Sequence, residues 1–403
     1  MALVPLEEAR DGILAAVPTL PVVDTPIADA VGLVLAVEVV TDEPVPPFAN
    51  TAMDGYAVRA ADTVGASDAS PVRLRVVGEL PAGRAPTTPV GPGEAIRIMT
   101  GAPVPDGADA IVMVERTQRD GDDGVLVEAE VTEGLHVRLP GGDLQAGQVV
   151  FAAGTVLGAA HVGVLASVGA RTVPIHRRAR VGVLSTGDEL VEEGALTPGQ
   201  IRDSNRPMLL ALARAAGVEA IDLGLARDNE ELIVEVLEDA FTRCDAVITS
   251  GGVSVGDYDY VKAALDRFGS LEWRQVAIKP AKPLAFGIVR GVPVFGLPGN
   301  PVSSLVSFEL FARPALLSMM GYREPRRLEV VARAAHAFTR RPDGKVHLDR
   351  VEVTWDGEGY VAASTGAQES NVLSATAAAN GLALLPDGDG AAEGDPIAVM
   401  LLR

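Results

Sequence analysis

The stretch that decides the fold is Asp245–Asp259, DAVITSGGVSVGDYD. Its opening run, Ala246-Val247-Ile248-Thr249, is apolar and β-branched, as in the buried middle of a parallel sheet. Ser250-Gly251-Gly252 breaks that strand, because paired glycines permit a tight turn and close approach of a ligand to backbone N–H groups. Helical spacing resumes from Tyr258 to Leu265, with Asp257 placed as its cap. Strand, glycine turn and helix N-terminus make an anion site, where free N–H groups and the positive dipole end face a phosphate. Asp257 and Asp259 stand beside it and would repel a bare phosphate. A bridging cation such as Mg²⁺ is the natural third component.

Working outward, Arg180 to Gly321 alternates strand and helix patterns. Strands are expected at Val181-Ser185, Ala220-Gly224, Ala246-Thr249, Val276-Ile278, Leu284-Val289 and Pro293-Gly296. Helices are expected at Pro207-Ala216, Glu230-Arg243, Tyr258-Phe268 and Pro301-Met320. This alternation predicts a doubly wound, parallel α/β sheet that binds ligands at the carboxyl ends of its strands. Three glycine-containing turns follow strands: Ser185-Thr186-Gly187-Asp188-Glu189, Ser250-Gly251-Gly252, and Gly296-Leu297-Pro298-Gly299-Asn300-Pro301. In the last, Asn300 is placed as helix cap and Pro301 in the first turn. Turns on one sheet edge converge, so Asp188, Glu189, Asp228, Asp257 and Asp259 would share a pocket whose crowding a divalent cation relieves. Positive charge enters at Lys279-Pro280-Ala281-Lys282-Pro283, where prolines fix two lysines at a strand end, suited to clamping a phosphate or oxyanion. Singly, each acid could be an ordinary cap, and the lysines an ordinary salt-bridged loop.

The rest of the chain divides around this core. Residues 1–49 and 141–178 read as an N-terminal, extended and helical domain, with the stiff run Pro44-Val45-Pro46-Pro47 as a crossing segment. Residues 50–140 form a β-rich module of short strands and turns, and 179–325 the α/β domain. After Pro325 short strands return, predicting a small C-terminal β-barrel over 326–403.

Composition narrows the function. The 403 residues are 48% hydrophobic and carry a net charge of −20, ample for several cores but without the basic face that nucleic acid or an anionic membrane requires. Cys244 is the one cysteine and reads as a core residue; the five histidines lack any zinc-ligand spacing. No secretory signal is visible at the N-terminus, and the uncharged run 152–170 reads as a capped soluble helix, so a cytoplasmic protein is expected. One rival exists: Gly252-Val253-Ser254-Val255-Gly256 matches the GxSxG elbow of serine hydrolases, with His336 and His347 downstream, but both lie in the β-rich tail.

Taken together, NTAMDGYAVRAAD, IRIMTGAPVPDGADAIV, STGDEL, DSN, SGGVSVGDYDYV, KPAKP, GLPGNPVS and TGAQES resemble, in order, the MoeA family of molybdopterin molybdenumtransferases, which includes the E domain of gephyrin. The resemblance runs from about residue 6 to 400. It implies an elongated, four-domain homodimer that takes adenylated molybdopterin and molybdate, with Mg²⁺, and releases AMP and the molybdenum cofactor. By motif it assigns Glu189, Asp228 and Asp259 to the active site, as metal ligands, together with Lys279, Lys282, Pro298 and Pro301. Ser250, Gly251, Gly252, Asp257, Gly299 and Asn300 belong to the same substrate-binding turns. Asp54 and Thr100 would enter from the partner subunit, and Asp143, Arg350 and Ser370 are carried over from LPGGD, HLDR and TGAQES. An upstream molybdopterin adenylyltransferase is the expected partner. That activity is also the neighbouring alternative for this chain, and a gephyrin-like scaffold is another. Two departures stand out: Ala281 replaces the glycine of PGKP, and Gln275 a lysine often found four before Lys279.

Overall fold

The computed structural model describes residues 3–251, 260–269 and 271–403. The chain forms two units, one of Met1–Thr25, Ala30–Ala36 and Pro174–Arg403, the other of Pro26–Asp29 and Val37–Val173.

In the first unit the β-branched runs become six strands: β1 (Arg180–Thr186), β2 (Glu219–Ala226), β3 (Ala246–Ser250), β4 (Glu272–Gln275), β5 (Pro283–Val289) and β6 (Val292–Leu297). Their order is β2-β1-β3-β6-β5-β4. The first four in that order are parallel. β5 runs antiparallel to both neighbours, so the expected parallel sheet has an antiparallel edge. Arg290 and Gly291, at φ 51° and 83°, form a two-residue turn that sends the chain straight back and leaves no room for a crossover helix. The strand expected at Val276-Ile278 is also displaced. Glu272–Gln275 takes the sheet edge, while Ile278–Lys279 pairs with Val346 and His347 of the C-terminal barrel.

Helices α1 (Asn205–Ala215), α2 (Glu230–Arg243), α3 (Tyr260–Asp266) and α4 (Pro301–Met319) cover both faces. Leu209, Ala213 and Val302 pack with Val183 and Ile248 on one side; Ile233, Leu237 and Val261 pack with Leu184 and Val247 on the other. Neighbouring strand residues thus point to opposite layers, as the period of two requires. α4 is apolar and long enough to cross a membrane, but 89% of it is buried in this core. Its middle, Phe308–Ala312, is wound more loosely, and there the buried Glu309 accepts two hydrogen bonds from Arg327, at 2.9 and 3.1 Å. The helix Leu6–Ala16, expected with 141–178, belongs instead to this unit. Leu6, Ala9 and Ile13 insert into the α1/α4 core, and Val4 bridges to Val276.

The tail closes into a barrel. Val346–Trp355, Tyr360–Ser364, Glu329–Ala334, Pro396–Leu401 and Gly381–Leu385 pair in succession, and the last returns to Val346–Trp355. Val351, Val353, Ala383 and Val399 fill the interior.

The second unit is built on a sheet ordered Ala110–Met113, Gly55–Val58, Glu94–Ile98, Val72–Leu80, Gly124–Val127, Thr117–Asp120. Gly55 has a steric reason. A Cβ there would lie 2.0 Å from the Val112 carbonyl oxygen, so only glycine lets these strands pair beside Asp54. The uncharged run 152–170 contains a helix only at Ala159–Ser167.

Candidate functional site

The three glycine turns converge as their strands require. β1 and β6 flank β3, so Ser185-Thr186-Gly187, Ser250-Gly251 and Leu297-Pro298-Gly299 follow neighbouring carboxyl ends. The Gly251 N–H donates to the Leu297 carbonyl at 3.1 Å. Gly251 sits at φ +98°, and a Cβ would come within 2.9 Å of the Thr186 carbonyl oxygen. Left-handed backbone and close approach both demand glycine. A second tie comes from Asn205 at the start of α1: its Nδ2 donates to Ser250 Oγ at 2.8 Å and to the Gly299 carbonyl at 2.6 Å. One Ser250 lone pair is thereby occupied, and its hydroxyl hydrogen, with no acceptor among the described residues, can donate to a ligand. Beside it Asp203, its side chain only 1% exposed, accepts from Ser185 Oγ at 3.1 Å and from Arg206, whose fork also holds Asp222 at 2.6 Å.

The acids form the rim of this edge. Asp188 and Asp228 exchange bonds, each carboxylate accepting the other's backbone N–H at 3.3 Å. This locks the ends of β1 and β2 together next to the exposed Glu189. Gly252, Asp257, Asp259 and the hydrolase candidate Ser254 lie outside the described residues. The histidines that a hydrolase would need are committed within the barrel: His336 accepts from the Ser364 N–H at 2.9 Å, and His347 pairs with Asp343 at 3.3 Å. Among the described residues no three His, Cys, Asp or Glu side chains gather as a metal cage. The hard oxygens of Glu189 and Asp228 fit Mg²⁺ nonetheless, since that ion is commonly held by one or two carboxylates plus substrate phosphate and water.

At the last turn Asn300 occupies the cap position of α4, but its side chain makes no capping bond, contrary to expectation. Pro301 begins the helix as expected. The orphan N–H of Val302 is taken by the Ser370 carbonyl at 3.1 Å, which docks the TGAQES loop on the helix start. Arg350 secures that loop from the barrel side. It is 0% exposed, and its Nη2 donates to the carbonyls of Ala367 at 3.0 Å and Glu369 at 3.1 Å. Burial lowers its guanidinium from the usual value. A cavity of about 360 Å³ opens between loop and sheet, lined by Lys279, Lys282, Ser303, Lys345 and Ser370. The side chains of Lys279 and Lys282 are exposed, and among the described residues they make no ion pair or hydrogen bond.

Asp54, Thr100 and Asp143 belong to the second unit. Thr100 donates to Asp54 Oδ1 through both Oγ1, at 2.6 Å, and its backbone N–H, at 2.7 Å. The Thr100 hydroxyl bond, then the amide bond, hold the exposed Asp54 carboxyl below its usual value. Asp143 is exposed on a turn, its N–H donating to the Val45 carbonyl at 2.9 Å.

Three family models match in order: the MoeA N-terminal region (domains I and II) over 4–169, a probable molybdopterin-binding domain over 182–318, and the MoeA C-terminal region (domain IV) over 331–402. Molybdopterin molybdenumtransferase 2 of Mycobacterium tuberculosis is 42% identical across 91% of both chains. The chain belongs to the MoeA family. A molybdopterin molybdenumtransferase of Haemophilus influenzae is 37% identical over 88% of this chain and 87% of its own. The crystal structure of the MoeA protein from Pyrococcus horikoshii OT3 superposes with a TM-score of 0.83 at 32% identity, covering 99% of this chain and all of that one.

Against the MoeA pattern, the departure at Ala281 acquires a physical meaning. Its φ is +75° and it is 3% exposed, so the position calls for the glycine it lacks. Gln275, the other departure, lies at the β4 edge, paired with Pro283. Asp203, Asn205 and Arg206 carry no role that the sequence shows, although DSN is among the matching motifs. Nothing local signals that an asparagine opening α1 will tie two turns 45 and 94 residues away.

Proposed function

We propose that this chain inserts molybdenum from molybdate into adenylated molybdopterin and releases AMP. The observation that supports this most is the 42% identity, across 91% of both chains, to a molybdopterin molybdenumtransferase. In this reading the Gly251 turn and the Ser250 hydroxyl hold phosphate oxygens, and Asn205 keeps the two turns in register. The exposed ammonium groups of Lys279 and Lys282 hold oxyanions in the lysine-lined cavity, with Ser370 placed by Arg350. Mg²⁺, when bound by Glu189, Asp228 and Asp259, would neutralise charge on the phosphoanhydride. Water cleaves that anhydride to AMP and the molybdopterin phosphate, and the dithiolene thiols replace molybdate oxygen, which leaves with their protons as water. The substrate would come from a molybdopterin adenylyltransferase, and the protein would work in the cytoplasm.

The test is AMP release from adenylated molybdopterin with molybdate or Mg²⁺ omitted in turn. Release that requires both supports the reading. Binding without cleavage would turn it into a scaffold, and consumption of ATP with molybdopterin into an adenylyltransferase. We further propose a homodimer in which Asp54 and Thr100 complete the partner's site. Mixing Asp54→Asn with Glu189→Gln chains should then restore part of the activity that each lacks alone. Mixtures as inactive as the separate variants would refute shared sites.

A further inference from the structure

A second cavity, of about 500 Å³, opens at the mouth of the C-terminal barrel and is lined by Lys279, Pro280, Arg341, His347, Asp349 and Glu369, among others. Most charges around it are spent. Arg340 donates to the carbonyls of Leu385 and Pro386 at 2.8 Å, and pairs with Asp343 and Asp387 at 3.0 Å. Asp343 also takes Lys345 at 2.7 Å and His347 at 3.3 Å. Four charged side chains remain without a hydrogen-bond or ion-pair partner among the described residues: Lys279, Arg341, Asp349 and Glu369. Of these only Asp349 is half-buried; the other three are exposed.

An unpaired, shielded carboxylate is costly to keep and has no structural duty here. Burial pushes Asp349 up, and the nearby charges of His347, Arg350, Lys279 and Arg340 do not reverse it. Side chains alternate along the strand, so Arg350 supports the TGAQES loop while His347 and Asp349 share the other face. The occupant must satisfy this mixture. An anion alone would be repelled by Asp349, and a cation alone by Lys279 and Arg341. A neutral heterocycle with two donors on one edge and an oxygen acceptor beside them meets both demands. That is the 2-amino-4-oxo edge of a pterin, whose amino and N3–H groups fork onto a carboxylate as a guanidinium does. The space is of the size that ligand rings occupy, roughly 300–1,000 Å³. Lys279, Pro280, Gln368 and Glu369 also line the lysine cavity, so the two lie on either side of one wall.

The geometry points to the barrel mouth as the seat of the substrate's pterin ring, with the Asp349 carboxylate taking its amino and N3–H donors. This inference rests on the molybdopterin reading above. It is tested on the full chain by titrating pterin-6-carboxylate, followed by its own fluorescence, against lumazine-6-carboxylate, which has an oxygen in place of the 2-amino group. The pterin is expected to bind about tenfold or more tightly than the lumazine, because a buried acceptor left unpaired is penalised. Asp349→Asn is expected to erase that preference. Equal affinity of the two rings for the wild-type chain overturns the inference without need of any variant, as does a preference that survives in folded Asp349→Asn. If AMP release occurs but the ring preference is missing, this inference alone fails; if AMP release is itself missing, the transferase reading fails.

Discussion

The glycine-turn edge of the α/β sheet and the seam between that sheet and the barrel hold their ligand-facing groups by different means. At the edge, a left-handed glycine turn and short polar side chains bonded to nearby backbone share the holding. Gly251 at φ +98° donates to Leu297, and the ends of β1 and β2 are cross-tied through Asp188 and Asp228. At the seam, one long buried side chain does it: Arg350 anchors the loop that carries Ser370, beside the cavity lined by the exposed Lys279 and Lys282. Glycine turns fail by steric intrusion. Side-chain-built sites fail when one anchor is removed.

The sharpest way to break this comparison is Gly251→Ala. The left-handed backbone and the contact with Thr186 are expected to lower AMP release about a hundredfold, since small misplacements of reacting groups cost that much. Gly299→Ala is the control. Its φ is not left-handed and the nearest atom to an added Cβ is the Gly251 Cα at 3.9 Å, so stability in a urea titration should be nearly unchanged. Equal losses of urea stability at both positions would remove the steric argument.

On the seam side, Arg350→Ala deletes the anchor of the 367–369 carbonyls from a fully buried position. About 2–4 kcal/mol of stability should be lost in urea unfolding, from the cavity and the unpaired carbonyls together. Ala281→Gly runs the other way, restoring the residue suited to φ +75°. Relief of the left-handed strain, offset by extra freedom in the unfolded chain, should stabilise by about 1 kcal/mol or less. A destabilised Ala281→Gly would show that the methyl group, 3% exposed, packs better than its backbone suffers.

The smallest expected effect is titration of the barrel mouth. The hydrogen bond from Lys345, then that of His347, hold the Asp343 carboxyl down to about 2. A carboxyl depressed on folding adds stability above its unfolded value, and that stability is lost as pH falls towards the folded one. The difference in urea midpoint between wild type and Asp343→Asn should therefore be present at pH 5 and disappear between about pH 4 and 2. A difference that stayed constant over that range would show that Asp343 acts through something other than its charge.

The edge could be read from the chain because its signals are local. A β-branched run followed by glycines places strand, turn and helix within a few residues, and parallel strands bring such turns together. The same logic misjudged β5, because a two-residue turn at Arg290-Gly291 reverses the chain and makes an edge antiparallel that was expected to be parallel. The seam was hidden because its partners are far apart in sequence: Ile278–Lys279 leaves the sheet to pair with Val346 and His347, and Arg350 reaches Ala367 and Glu369. Asn205 is the clearest case. Its amide ties Ser250 to Gly299, and only the assembled sheet brings those residues within its reach. For the first helix, Leu6, Ala9 and Ile13 marked an apolar face, but nothing in that face said which core it would join.

The acid-rimmed glycine edge should carry the cleavage. The direct measurement is single-turnover AMP release from adenylated molybdopterin, with molybdate and Mg²⁺, by the wild-type chain and by Glu189→Gln. Glu189 is exposed, so the variant should keep its fold and melting temperature. AMP is expected from the wild type and none from the folded variant. Wild-type turnover by Glu189→Gln would take the cleavage away from this edge.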